Sequence, residues 1–153
     1  AVVDQSLQTG VPGIFACGNV LHVHDLADNV TTESERAGAA AAAYALGNGA
    51  NVEAGDAGTS CQLKVSPADI AGYALPGRIT AVTLTKLNFR VRRPVDAARI
   101  RILAGDEELF AGKVRPFKPS VMESFPLPAK VIQRALDMGV NEIVLSVDPV
   151  EEA

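Results

Sequence analysis

The sequence of 153 residues has no tryptophan, only 5% aromatic residues and two cysteines. Because 43 residues separate Cys17 from Cys61, the two cysteines match neither a disulfide framework nor the spacing of zinc ligands. So few cysteines are typical of a protein from the reducing cytoplasm. The longest apolar run, Ala39 to Leu46, is far shorter than the roughly 20 residues of a membrane helix. No signal peptide opens the chain, which begins with Ala. We therefore predict a cytoplasmic protein with no membrane span.

Charge divides the chain into two parts. Residues 1–58 carry seven acidic residues and one basic residue, whereas residues 59–153 carry eleven acidic and thirteen basic residues. The change falls in a stretch rich in Gly, Ala and Asn, a composition typical of linkers. We predict a first unit over residues 1–47, a linker over 48–59 and a second unit over 60–150. The overall charge of −4 argues against generic nucleic-acid binding.

The first unit has the pattern strand, loop, helix. The short apolar run Ile14 to Cys17 follows a Val-Pro-Gly turn and is typical of a buried parallel strand. A helix should start near Asn29 or Thr31, with Thr32 and Glu35 forming a capping box. One strand and one helix cannot bury each other's apolar surface. This unit is therefore predicted to be the last piece of a larger α/β domain.

The second unit alternates polar and apolar residues, as half-buried strands do. The pattern predicts strands over residues 79–84, 86–92, 99–102, 108–114, 121–125 and 143–147, and a helix over 129–136 that stops at Gly139. Short strands at regular intervals predict a small antiparallel β-sandwich-like domain, or a barrel, with one helix. The predicted fold class is α+β.

Three segments of the first unit resemble a known motif. Residues 9–20 read Thr-Gly-Val-Pro-Gly-Ile-Phe-Ala-Cys-Gly-Asn-Val, and they are followed by Asp25 to Val30 and by Ala-Gly-Ala-Ala-Ala over 37–41. In order and spacing they resemble the second flavin-binding motif of the pyridine nucleotide-disulfide oxidoreductase family, over about residues 3–46. Residues 60–150 resemble the all-β tail of a bacterial branch of flavin- and nicotinamide-dependent enzymes. In that branch Asn replaces the usual Asp, as at Asn19, and a His-x-His-Asp segment follows.

The resemblance implies a C-terminal fragment of an FAD/NAD(P)-dependent oxidoreductase, in which electrons pass between NAD(P)H and an acceptor through FAD. Residues 1–47 would be the strand–helix remnant of its α/β FAD-binding domain. The upstream FAD- and NAD(P)-binding domains of the parent chain would be its first partners. The residues implied to contact FAD are Gly18, Asn19, Val20, Asp28, Asn29 and Val30.

Other fingerprints of such enzymes are absent from the sequence. It has no G-x-G-x-x-G for a dinucleotide pyrophosphate and no redox C-x-x-C pair, so the fragment alone should be inactive. Cys17 is interpreted as an inert buried thiol. No catalytic residue is assigned.

The segment His22-Val-His24 allows more than one interpretation. Two histidines two residues apart could bind a metal ion together with Asp25 or Asp28. Because no third His or Cys stands at a suitable spacing, we predict no metal and a polar loop near the flavin. His24 could alternatively relay a proton to flavin or substrate, since histidine titrates near neutrality.

The second unit raises two further alternatives. Arg90, Arg92, Arg99 and Arg101 are interpreted as one solvated face of a sheet, the alternative being a surface for an anionic partner. The unit as a whole could instead be a non-catalytic interaction or dimerisation module. It would then bind a redox partner protein or a second copy of the chain.

Overall fold

The computed structural model describes residues 2–47 and 60–150, and the predicted linker over 48–59 lies outside them. The described chain is mixed α+β and mostly strand, as predicted. Its helices are α1 (Ala27–Ala45) and α2 (Ala129–Asp137). Its strands are β1 (Ser60–Pro67), β2 (Ala71–Leu75), β3 (Arg78–Ala81), β4 (Thr85–Val91), β5 (Val95–Ala104), β6 (Glu107–Ala111), β7 (Arg115–Phe117), β8 (Glu123–Leu127) and β9 (Glu142–Pro149).

The strands form two sheets. The larger has the order β3-β1-β9-β5-β6, with β7 also paired to β5, and the smaller has the order β2-β4-β8. All pairings are antiparallel except that of β1 with β9, which is parallel. The prediction of a purely antiparallel arrangement is wrong at this one pair, because the chain passes through the smaller sheet before β9 returns beside β1.

Both sheets contribute to one core. Alternate residues of β1 and β5 are buried, and so is most of β4. Phe89 of the smaller sheet and Ile102 of the larger sheet belong to the same buried cluster as Ile132 of α2. The region 60–150 is therefore a two-sheet, sandwich-like unit with one packed helix. The sequence analysis missed β1, β2 and β7.

The predicted parallel strand over residues 14–17 does not form within the described residues. Phe15 instead makes an isolated antiparallel bridge with Gln8, and the backbone N–H of Thr9 donates to the carbonyl of Ile14 at 2.8 Å. The side chain of Ile14 is 54% exposed. The turn over residues 11–13 folds the segment back onto its own preceding residues, so it pairs locally.

Helix α1 starts earlier than predicted, at Ala27. Its N-cap is Leu26, which makes no side-chain capping bond. The hydroxyl groups of Thr31 and Thr32 donate to the carbonyls of Ala27 and Asp28, one turn back, at 3.3 and 3.0 Å. The predicted capping box is therefore wrong, because both threonines lie inside the helix.

The buried side chain of Gln5 is one contact by which the segment 2–47 packs on the β-rich region. The amide of Gln5 donates to the carbonyl of Ala81 at 3.1 Å, and its oxygen accepts from the N–H groups of Thr80 and Ala81 at 2.9 and 3.0 Å. Gln5 thereby caps the end of β3 with side-chain bonds. A strand-like contact adds to this, since the N–H of Gly77 donates to the carbonyl of Val3 at 3.1 Å.

Candidate functional site

Three ionisable side chains meet between α1 and the loop that precedes it. Nε2 of His22 lies 2.9 Å from Oε2 of Glu33, and Nε2 of His24 lies 3.2 Å from Oε1 of the same carboxylate. The side chains of His22, His24 and Glu33 are only 1%, 3% and 6% exposed. We call these three residues the His-His-Glu cluster.

The cluster is tied to the tight 3-10 turn over Gly18–Val20. The N–H of Gly18 donates to Oε1 of Glu33 at 2.7 Å. Gly18 has a φ of +69°, a conformation that glycine adopts without strain. A Cβ at this position would lie 3.7 Å from Cγ1 of Val30. Glu33 therefore holds the turn against the first part of α1.

The cluster also reaches the smaller sheet. Nδ1 of His22 lies 3.1 Å from the hydroxyl of Tyr73 in β2. Beside it, Asp25 is ion-paired with Arg90 of β4 and accepts the N–H of Met122 at 2.6 Å. Arg90 also donates to the carbonyl of Val23 at 3.0 Å. These contacts join the loop that contains both histidines to the β-rich region.

The surroundings of the site shift the pKa values of three side chains, Glu33, Asp25 and Tyr73. Burial raises the pKa of Glu33, but hydrogen bonds with His22 and from the Gly18 N–H outweigh it and hold this pKa below its usual 4.5. The Met122 N–H and the Arg90 guanidinium lower the pKa of Asp25. Burial raises the pKa of the Tyr73 hydroxyl. At neutral pH the cluster thus contains a carboxylate, buried beside two imidazoles.

A small polar cavity of about 120 Å³ opens beside this carboxylate. Its lining combines side chains of α1, β4 and the loops on either side: His24, Asn29, Thr32, Glu33, Arg36, Lys86, Asn88 and Met122. The volume is sufficient for a few water molecules or a small ion. Nδ1 of His24 is buried and has no hydrogen-bond partner within the described ranges. His24 is thus the less completely satisfied of the two imidazoles.

The six residues implied to contact FAD lie in two neighbouring stretches. Gly18 is buried, Asn19 and Val20 are exposed, and Asp28 is exposed in the first turn of α1 with Asn29 and Val30 half-buried behind it. The two stretches lie near each other, since a Cβ built on Gly18 would be 3.7 Å from Cγ1 of Val30.

Sequence analysis missed Glu33, which joins the two histidines. It considered Asp25 and Asp28 instead, but Asp25 pairs with Arg90, and Asp28 is exposed. A signal was present: Glu33, Ala37 and Ala40 are the buried residues of α1, and their spacing of four and three is that of one helix face.

The four arginines do not form one sheet face. Arg90 and Arg92 belong to the smaller sheet or its edge, whereas Arg99 and Arg101 lie on β5 of the larger sheet. Arg90 is paired as described, and Arg101 pairs with Glu108 and Asp148. The interpretation as a single solvated face is therefore wrong. Arg90 serves to attach the loop of residues 22–25.

Neither thiol is an evident redox centre. Burial raises the pKa of Cys61, which disfavours the reactive thiolate. Cys17 is half-buried rather than buried as predicted. Both are free thiols.

Comparison of the chain with models of protein families, with curated proteins and with solved structures finds no significant match. Among the described residues, neither α1 nor α2 is long and apolar enough to cross a membrane.

Proposed function

We propose that this chain is the C-terminal part of a flavin-dependent oxidoreductase that moves electrons between NAD(P)H and an acceptor through FAD. The observation that supports the proposal is the proximity of the Gly18–Val20 turn to the first turn of α1, where a Cβ on Gly18 would lie 3.7 Å from Cγ1 of Val30. These are the two stretches by which the resembling family holds the ribityl chain and the pyrimidine end of its flavin.

The residues present fit such a role. Asn19 is exposed, and its amide can bond to a ribityl hydroxyl. Leu26 provides no side-chain cap, and although the N–H of Asn29 donates to the Leu26 carbonyl at 3.2 Å, the positive end of the α1 dipole can face a group with negative charge. Reduced flavin carries such charge on its pyrimidine ring. Bound FAD would supply the hydride-accepting ring, and these residues would position it.

Exposed apolar side chains support the idea that further protein covers this segment. Of the twelve large apolar side chains that are exposed in the described ranges, eight belong to residues 2–47. They are Val2, Val11, Ile14, Val20, Val23, Leu26, Tyr44 and Leu46. Residues 2–47 are about a third of the described residues but hold two thirds of these exposed side chains, and a surplus of exposed apolar surface is typical of regions that contact other protein. The occupant we propose is the upstream FAD-binding domain of the parent chain, with its NAD(P)-binding domain beyond it.

The test uses the complete reading frame that encodes this chain, expressed and purified as a whole. We expect a yellow protein with bound FAD. Asn19→Ala should remove one neutral hydrogen bond and weaken FAD binding by about 0.5–1.5 kcal/mol, a few-fold to roughly tenfold. Asn19→Asp should keep FAD bound and lower its midpoint potential slightly, because added negative charge disfavours the reduced anionic flavin.

Asn141→Ala is the matched control, since Asn141 is also exposed but lies in the β-rich region just before β9. It should leave both affinity and potential unchanged. A colourless full-length protein would overturn the proposal. So would an unchanged FAD affinity in Asn19→Ala together with an unshifted potential in Asn19→Asp.

The 153-residue chain alone should bind FAD negligibly, because its sequence offers no cradle for the pyrophosphate. Titration followed by flavin fluorescence measures this directly. A micromolar dissociation constant, about −8 kcal/mol, would contradict the assignment of the missing cradle to an upstream domain.

The alternative function, a non-catalytic interaction or dimerisation module, draws on the same exposed apolar side chains. One of these side chains, Val2, also lines an open groove of about 710 Å³ on the β-rich region. Leu63, Val65 and Tyr73 are among the other residues that line it. The alternative is favoured if the full reading frame binds no flavin and the purified chain forms a stable dimer in light scattering.

A further inference from the structure

We propose that His22, His24 and Glu33 form a binding site for one divalent transition-metal ion, with Zn²⁺ as the ion best suited to the ligands. The inference does not rest on the flavin proposal, because it concerns only contacts within the described chain. Two imidazoles and one carboxylate are a ligand set that zinc accepts, with a fourth position left for water.

The ligand atoms are already close to the required positions. One ligand atom from each of the three residues can be chosen so that all lie within 4.8 Å of one another. In a tetrahedral zinc site with bonds of about 2.0–2.2 Å, neighbouring ligands lie roughly 3.4 Å apart. Nε2 of His22 lies 2.9 Å from Oε2 of Glu33, and Nε2 of His24 lies 3.2 Å from the other oxygen, Oε1, so each imidazole is near this spacing from one carboxylate oxygen. Since the three ligand atoms lie within 4.8 Å of one another, binding needs the side chains to close by up to roughly 1.4 Å.

Outer contacts hold the ligands in place. The hydroxyl of Tyr73 lies 3.1 Å from Nδ1 of His22, and the N–H of Gly18 holds Oε1 of Glu33. Metal-binding histidines usually have such a partner on the second ring nitrogen, which fixes the direction of the first. Nδ1 of His24 is buried without a protein partner in the described chain, so a water molecule in the adjacent cavity would supply the outer hydrogen bond of this second imidazole.

Charge and space also suit a cation with a small additional ligand. The buried carboxylate of Glu33 lies between the two imidazoles, so a divalent cation bound to both nitrogens would directly face a negatively charged oxygen. The adjacent 120 Å³ cavity has room for a metal-bound water. Arg36 and Lys86 line the same cavity. They disfavour a second cation and favour water, hydroxide or a small anion as the remaining ligand.

The test is Zn²⁺ binding by the purified 153-residue chain after treatment with a chelator. We expect one equivalent of Zn²⁺ to bind with a dissociation constant in the micromolar range or below, and saturating zinc to raise the melting temperature. Co²⁺ in place of zinc should give the visible bands of a four- or five-coordinate site without a thiolate charge-transfer band. This spectrum separates the cluster from binding through Cys17.

Two variants locate the site. Glu33→Gln keeps the size of the side chain and an oxygen for the Gly18 N–H, but it removes the charge. His24→Ala removes a ligand without disturbing the contact to Tyr73. Each should weaken Zn²⁺ binding at least about tenfold. Glu35→Gln, on the exposed side of the same helix, is the matched control and should bind zinc as the wild type does.

Circular dichroism of each variant establishes whether it is folded, and His24→Ala carries the test if Glu33→Gln does not fold. The proposal is overturned if the chelator-treated wild type binds no stoichiometric zinc. It is equally overturned if a folded His24→Ala binds zinc as tightly as wild type. A cobalt spectrum with a thiolate band that disappears in Cys17→Ser would also overturn it.

Discussion

The regions 60–150 and 2–47 are held together by different kinds of interaction. In the first, twenty-three buried residues from both sheets and α2 form one core cluster. In the second, only Val3, Leu7 and Ala37 belong to a buried cluster, and Leu75 of the other region completes it. Helix α1 spans nineteen residues but buries only three of them.

The segment 2–47 compensates with directional polar contacts. Gln5 caps β3, Asp25 pairs with Arg90, and His22 meets Tyr73. Hydrogen bonds contribute only about 0.5–1.5 kcal/mol each on balance, whereas leaving a buried partner unsatisfied costs more. We therefore expect the β-rich region to determine global stability and the segment 2–47 to open more easily than the two sheets.

The strongest test of this difference makes the same type of substitution, Ile to Ala, once in each region. Ile102→Ala removes a fully buried side chain from the central strand β5 and should destabilise the protein by about 2–5 kcal/mol. Ile14→Ala removes a side chain that is 54% exposed and should change stability by no more than about 0.5 kcal/mol. Urea unfolding measures both. Equal losses would mean that the segment has a core as important as that of the sheets.

A second test addresses the attachment itself. Gln5→Ala leaves the N–H groups of Thr80 and Ala81 without a partner and should cost about 1–3 kcal/mol. Hydrogen exchange should become faster across residues 2–47 while the amides of β5 and β9 stay protected. Gln133→Ala, an exposed glutamine on α2, is the control. Uniform acceleration in both regions would contradict a segment that opens separately.

The smallest effect concerns pH and lies wholly in the β-rich region. The Ser66 hydroxyl and then the Lys64 ammonium lower the pKa of Glu142 below its usual 4.5. A lowered pKa in the folded state stabilises the protein above the unfolded value, and this stabilisation is lost as the pH falls through the folded value. Because the side chain of Glu142 is 40% exposed, Glu142→Gln should cost only about 0.5 kcal/mol near neutrality.

The difference in melting temperature between wild type and Glu142→Gln should therefore shrink as the pH falls from about 7 to about 3. A difference that stays constant over this range would show that the lost contact does not depend on the charge of Glu142.

How much the sequence predicted also differs between the two regions. Alternation predicted β4 and the middle of β5, residues 99–102, and helical spacing predicted α2 almost to its ends. In these elements local pattern and tertiary burial agree. In the segment 2–47 the run from Ile14 to Cys17 was predicted as a parallel strand, but parallel pairing needs neighbouring strands from distant parts of a chain. Without them the run pairs with Gln8 through a local turn.

The cluster shows a similar limit. The His-x-His spacing was visible, but Glu33 lies nine residues beyond His24 on α1, and the packing of the helix against the loop brings the two side chains to 3.2 Å. The sequence analysis sought a third ligand among His, Cys and the neighbouring Asp25 and Asp28. Glu33 was not considered, because it belongs to the helix and not to the loop of the two histidines.

Gly38 has a consequence for how this protein tolerates mutation. It lies in the middle of α1, it is exposed, and a Cβ there would meet nothing within 4 Å in the described structure. Alanine favours a helix by about 1 kcal/mol over glycine, so Gly38→Ala should be beneficial in the chain studied alone. If another backbone packs against α1 in a larger protein, the same methyl group becomes an obstacle. Gly38→Ala would then stabilise the chain alone but destabilise the larger protein. Such a reversal is sign epistasis between α1 and the protein that packs on it.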